Sequence, residues 1–250
     1  MQAITRGNMK IIVTEDPGEM GRQTAGLVAE EMKKNEALVL GLCTGGTAIP
    51  IYQELISMYV ERTLSFRNAT TFNLDEYYPM HPRETSSYYY FMRTELFDYI
   101  DITPSNILFP NALSRNPSQA CESYEALIQK CGGIDLMLLG IGENAHIGFN
   151  EPGTPRTSRT RMVALTEKTR ASNSRFFDAL DQVPFHALSM GIATIMDARK
   201  IVLSAYGAKK AKAIADALGA SSNPEVPASY LQEHPDCTFV LDREAALYLL

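Results

Sequence analysis

The residues best suited to proton chemistry lie in one stretch, GIGENAHIGFNEPGT, from Gly140 to Thr154. It contains His146, one of four histidines, with Asn144 two positions before it and Glu151 five after. An imidazole moves protons near neutral pH when neighbours fix its tautomer and orientation, and an amide and a carboxylate can both do so. A histidine that only satisfies backbone groups is the plainer alternative. Two polar partners in a loop with Gly140, Gly142 and Gly148 favour the acid-base reading. Asp75-Glu76 could supply paired carboxylates to a site or cap the segment that follows. A carboxylate there suits abstraction of a proton next to a carbonyl; metal binding competes, but no dense set of carboxylates accompanies the pair.

Thr44-Gly45-Gly46-Thr47 precedes a helical pattern and brings two hydroxyls and two glycines to a place where backbone N–H groups and a helix dipole receive an anion. It matches neither GxGxxG nor GxxxxGK[ST], so neither a dinucleotide nor a nucleoside triphosphate is inferred. Lys210 could add a cation to the same anion. Among Arg159, Arg161, Arg170 and Arg175, one could clamp a phosphate while the others face solvent.

The elements that must carry these groups read as strands alternating with helices. KIIVT (10–14), ALVLGL (37–42), ATTFNL (69–74), IDLMLL (134–139), KIVLSAY (200–206) and CTFVLD (237–242) are short apolar runs with the length of buried strands, and residues 159–165 suggest another. Helices are expected over about 17–34, from the glycine loop to Arg62, 86–100, 117–131, 166–177, 186–198 and 207–218, with a short one at the C-terminus. This alternation predicts an α/β fold, an open and mostly parallel sheet with helices on both faces. The loops at 44–47, 75–76, 144–151 and 207–210 then follow strand carboxyl ends, which share one edge of such a sheet, so they should converge.

Composition bounds the alternatives. A chain of 250 residues with 45% hydrophobic and 21% charged residues can bury a full core, as one large domain or two intimate subdomains. A net charge of −6 argues against a general nucleic-acid or anionic-membrane surface but not against a phosphorylated small substrate. Cys43, Cys121, Cys131 and Cys237 form no CxxC pair and the histidines no HExxH, so no structural zinc site is expected, and the thiols suit a reducing cytoplasm. No run approaches the roughly 20 apolar residues that span a bilayer, and no signal-peptide core is visible. Residues 1–8 read as a native extension or an expression remnant ahead of a single domain at 9–250.

Taken together, LGLCTGGT, TFNLDEYY, GIGENAHIGFNEPGT, SRTR, TRASNSRFF, VPFHALSMGI and GAKKA make the chain resemble the glucosamine-6-phosphate deaminases from Met9 onward. These enzymes of amino-sugar catabolism convert glucosamine 6-phosphate and water into fructose 6-phosphate and ammonia. The resemblance implies a Rossmann-like sheet with a small lid at about 153–181, whose opening glycine and proline suit a hinge. It assigns Asp75 to proton transfer between C2 and C1, and His146, supported by Glu151 and Asn144, to opening of the pyranose ring. It assigns Thr44, Gly45, Gly46, Thr47, Arg175 and Lys210 to the phosphate, and calls for no metal or organic cofactor. Many members carry Asp where this chain has Asn144, and a proline is common where it has Ala48. Larger regulated members extend further and place a lysine at the position of Val163, so the resemblance implies a monomer without activation by N-acetylglucosamine 6-phosphate. Two other readings compete: a 6-phosphogluconolactonase, which shares a similar histidine loop, and a non-catalytic sugar-phosphate-sensing domain, which would need an attached DNA-binding element. FNEP after the histidine and NLDEY favour the deaminase.

Overall fold

In the computed structural model, which describes residues 2–6, 9–174, 177 and 179–250, strand and helix alternate along most of the chain. β1 (Gln2–Arg6) and β2 (Met9–Thr14) lead into α1 (Pro17–Lys34), β3 (Val39–Leu42), α2 (Ile49–Val60) and β4 (Thr70–Asn73). Then come β5 (Asp75–Tyr78), α3 (Tyr88–Glu95), β6 (Ile107–Leu108), α4 (Pro117–Lys130) and β7 (Leu136–Leu139). The remainder is β8 (Arg161–Ala164), α5 (Glu167–Asn173), β9 (His186–Ser189), α6 (Ile192–Met196), β10 (Lys200–Ala205), α7 (Ala211–Ala217) and β11 (Cys237–Asp242).

The main sheet has the order β1-β2-β11-β10-β7-β3-β4-β6. Every neighbouring pair in it is parallel except β1 with β2. β3, β7 and β11 are buried at every position, as strands covered on both faces must be. α1 shows how the flanking helices are specified. Asp16 caps it by accepting the Glu19 N–H at 2.8 Å, Pro17 occupies its first turn, and Lys33 and Lys34 lie at its negative end. Its apolar stripe, including Met20, Ala25, Val28 and Met32, is buried, and the helix contacts α2, β2, β10 and β11.

A second, antiparallel sheet of order β5-β9-β8 stands beside the carboxyl edge of the first. Its register sets Asp75 and Arg161 both opposite Ser189. Tyr77, Phe149, Leu165 and Ala187 form a separate apolar cluster around it. This sheet overturns the helix expected over 186–198. Residues 186–189 pair as β9 with strands on both sides, and only 192–196 are helical after Gly191. Non-local pairing here outweighs a local apolar pattern compatible with either structure. Asp75-Glu76, expected as the end of one strand, instead begins β5. The expected C-terminal helix is a run of turns after β11, whose start is held by Asp242 accepting the Ala245 N–H at 2.7 Å. β1, from the first eight residues, and the two-residue β6 extend the sheet beyond the expected strands.

Candidate active site

β3 and β7 are neighbours, yet the chain proceeds from β3 to β4 and β6 on one side and from β7 to β10 and β11 on the other. The loops leaving β3 and β7 therefore part at a topological switch point, where α/β sheets form crevices. A cavity of about 720 Å³ lies there, and all four expected loops line it. Thr44–Thr47 follows β3 and runs into α2, where Ala48 supplies no side-chain cap. Uncapped first-turn N–H groups are a natural seat for an anion. Lys209 and Lys210 reach the same cavity from the turn after β10. That turn is fixed by Asp242, whose carboxylate accepts the Gly207 N–H at 3.0 and 3.1 Å. Cys43 also lines the cavity, but burial pushes its thiol up to about 12, so it remains protonated at neutral pH.

The two adjacent carboxylates do different work. Glu76 is buried and turned to the start of α3, where Oε1 accepts the Tyr77 and Tyr88 N–H groups and Oε2 the Tyr89 N–H, each at 2.9 Å. With Ser87 accepting the Tyr90 N–H, it satisfies the donors that begin this helix. Asp75 is only 7% exposed and faces the cavity. Burial, reinforced by the neighbouring Glu76 charge, raises its carboxyl to about 8. Gly148, at φ +56°, approaches it closely: a Cβ there would lie 3.4 Å from Asp75 Oδ2 and 3.2 Å from Ser189 Oγ. Ser189 accepts the Phe149 N–H at 3.1 Å, so β9 joins the Asp75 strand to the histidine loop.

His146 lines the cavity with its ring against Gly142, where any Cβ would overlap the imidazole. Its Nδ1 is buried, 3.7 Å from Glu151 Oε2, a distance for ion pairing rather than hydrogen bonding. Glu151 accepts Asn144 Nδ2 at 2.7 Å on Oε2 and Thr169 Oγ1 at 2.5 Å on Oε1. Partial burial alone would raise the Glu151 carboxyl, but His146 and these donors outweigh it and hold it at about 2. The amide of Asn144 thus acts on Glu151 and, at 3.4 Å, accepts the backbone N–H of His146. Its link to His146 thus runs through the backbone N–H and through Glu151 rather than through a hydrogen bond to the ring.

Comparison with known proteins identifies the family. The family described as glucosamine-6-phosphate isomerases/6-phosphogluconolactonase matches residues 16–240. A glucosamine-6-phosphate deaminase of Bacillus pumilus is 47% identical over 95% of this chain and 98% of its own length. One from Halothermothrix orenii is 45% identical over 96% and 100%. The chain belongs to the glucosamine-6-phosphate deaminase family. The solved structure of a monomeric deaminase of that name superposes with a TM-score of 0.93 at 41% identity, covering 95% of this chain and 98% of the other. A 6-phosphogluconolactonase from Trypanosoma brucei reaches 0.77 at 20% identity over 96% and 98%, a likeness of fold.

Within this deaminase fold, Thr44, Gly45, Gly46, Thr47, Asp75, Asn144, His146 and Lys210 line one cavity, and Glu151 stands behind His146. Arg175 lies outside the described residues. The other three arginines are engaged elsewhere. Arg159 pairs with Asp197, Arg161 donates to Asn150 Oδ1 at 2.9 Å, and Arg170 donates to Val183 O at 3.0 and 3.2 Å. Thr169 and Ser189 escaped the sequence reading. Thr166-x-x-Thr169 carries a helix-cap signal but none that it reaches Glu151, and Ser189 was hidden by the helical reading of 186–198.

Proposed function

We propose that this chain converts glucosamine 6-phosphate and water into fructose 6-phosphate and ammonia. What carries the proposal is the division of proton-transfer groups within one cavity: His146, backed by an anionic Glu151, and Asp75, buried on another loop with a raised pKa. His146 takes the C1 hydroxyl proton and returns it to the ring oxygen, giving the open-chain aldehyde. Asp75 as carboxylate removes the proton from C2, which the adjacent carbonyl acidifies, and delivers it to C1. As the C1 oxygen gains the proton that the C2 amino group gives up, a ketimine is left at C2, which adds water and expels ammonia. The Thr44–Thr47 loop, the first turn of α2 and Lys210 hold the phosphate, with Arg175 assigned to it by the resemblance alone. Asn144 and Glu151 support His146.

The 153–181 segment serves as a lid, since Lys168, Thr169 and Asn173 on α5 already form part of the cavity wall. A monomer in a reducing cytoplasm is the proposed working form. The monomeric deaminase of matching structure supports the first, and four free cysteines, one of them exposed, support the second. Among the described residues, no helix is long and apolar enough to cross a membrane. The decisive assay is incubation with glucosamine 6-phosphate, following ammonium and fructose 6-phosphate together. Both should form in equal amounts, with hyperbolic saturation that N-acetylglucosamine 6-phosphate leaves unchanged. Hydrolysis of 6-phosphogluconolactone without ammonium release would instead establish the lactonase.

A further inference from the structure

Glu151 is pinned at both carboxylate oxygens, and the two pins come from different parts of the chain. Oε2 accepts Asn144 from the histidine loop itself, whereas Oε1 accepts Thr169 from α5 in the cavity roof. With Asn144 alone, the carboxylate would be held at Oε2 only and could swing about that point, changing the direction in which Oε2 presents its lone pairs to His146 Nδ1. With both donors, its plane is fixed. The Thr169 hydroxyl is itself directed, because Thr166 Oγ1 donates to it at 2.9 Å and leaves its own proton for Glu151. Thr169 is 8% exposed and also lines the cavity, so the same side chain borders the substrate space and holds the carboxylate behind the imidazole.

We propose that Thr169 is a positioning residue that ties the α5 roof segment to Glu151 and so keeps this carboxylate aligned with His146. The role assigned to His146 rests on the deaminase reading above; the hold on Glu151 does not. Movement of α5 away from the cavity breaks the Oε1 bond and leaves the ring-opening pair misaligned. A roof seated over the sugar keeps the bond. Ring opening is thereby favoured when the site is covered.

The test compares the full-length wild type with Thr169→Val and Thr169→Ser. Valine preserves the side-chain shape, and the bond from the Thr169 backbone N–H to Thr166 Oγ1 at 3.1 Å, which caps α5, survives in both variants. Two quantities are measured: the Glu151 carboxyl titration by carbon-detected NMR, and kcat and KM for glucosamine 6-phosphate. Loss of one charge-assisted hydrogen bond should raise the Glu151 pKa by about one unit in Thr169→Val. It should also lower kcat about tenfold, leave KM within about threefold, and be largely reversed in Thr169→Ser. A helix-capping role alone would move neither the titration nor the split between kcat and KM. The proposal is overturned if Glu151 titrates in Thr169→Val as in the wild type, or if serine is as impaired as valine. If the wild type releases no ammonia, the deaminase reading fails, while the Glu151 titration still judges the hold exerted by Thr169.

Discussion

Asp75→Asn separates what the Asp75 carboxylate does for catalysis from what it costs the fold. The carboxyl is raised from 3.8 to about 8, chiefly by burial and secondarily by Glu76. Between these two values the folded protein holds a proton that the unfolded chain has released. Stability from this group is therefore complete below about pH 4 and is lost as pH rises toward 8. Within that window the wild type should lose about 1.4 kcal/mol per pH unit relative to the asparagine variant, which has nothing to titrate at this position. From pH 5 to 7 the difference amounts to about 3 kcal/mol, or roughly 5–10 °C in Tm for a chain of this size. Glu76, raised by burial to about 7 against the pull of its three N–H donors, slopes the same way but is common to both proteins and largely cancels in the difference. Urea unfolding of both proteins from pH 5 to 9 measures the divergence. The functional counterpart is a kcat/KM that climbs about tenfold per pH unit below 8 in the wild type, with turnover abolished in the variant. Stability curves that run parallel across the window would show Asp75 already ionised in the folded protein near pH 5, and the account of it as a buried, proton-holding base would be wrong.

Gly142→Ala tests the seat of the imidazole. The new Cβ would overlap the His146 ring, and the turn cannot relax easily, because Gly142 N donates to His146 O at 2.9 Å and Gly142 O accepts from Ala145 N at 3.0 Å. A fall in kcat of about 100-fold or more is expected, with a stability loss of roughly 1–3 kcal/mol; a folded variant with near-normal turnover would remove the close approach from the mechanism. The lid is tested by hydrogen exchange across 153–181 with and without fructose 6-phosphate. Protection of the α5 amides should increase on binding, and equal exchange in both states would argue for a fixed roof.

The parallel sheet was legible because its strands are apolar runs buried on both faces, and a run such as LMLL in β7 needs no partner to be recognised. The convergence of four loops then followed from topology, since the carboxyl ends of parallel strands share an edge. What escaped was the small antiparallel sheet. β8 falls within the strand expected over 159–165, but β5 and β9 are four residues each and pair with one another from over 100 residues apart in sequence. For the same reason, residue type and spacing left Asp75 and Glu76 equivalent, and only the family resemblance singled out Asp75. Only the position of α3 shows that Glu76 is consumed by three backbone donors, leaving Asp75 facing the cavity. Thr169 was out of reach on similar grounds, since its partner is 18 residues away with β8 between them.

The two carboxylates assigned to proton chemistry are driven in opposite directions, and the difference lies in their donors. Asp75 is raised to about 8 by burial and by a like charge next to it, which suits the proposed role of carrying a proton between two carbons. Glu151 is held at about 2 because His146, Thr169 and Asn144 outweigh its burial, so it stays anionic, as the proposed role of steadying a charged imidazole requires. Exchanging these environments would disable both steps. A permanently ionised Asp75 would abstract a proton poorly, and a protonated Glu151 would leave the imidazolium without a counter-charge. This divergence also explains how Asn can occupy position 144. The negative charge behind His146 is already supplied by Glu151, and the Asn144 amide donates a hydrogen bond to it without adding a second charge.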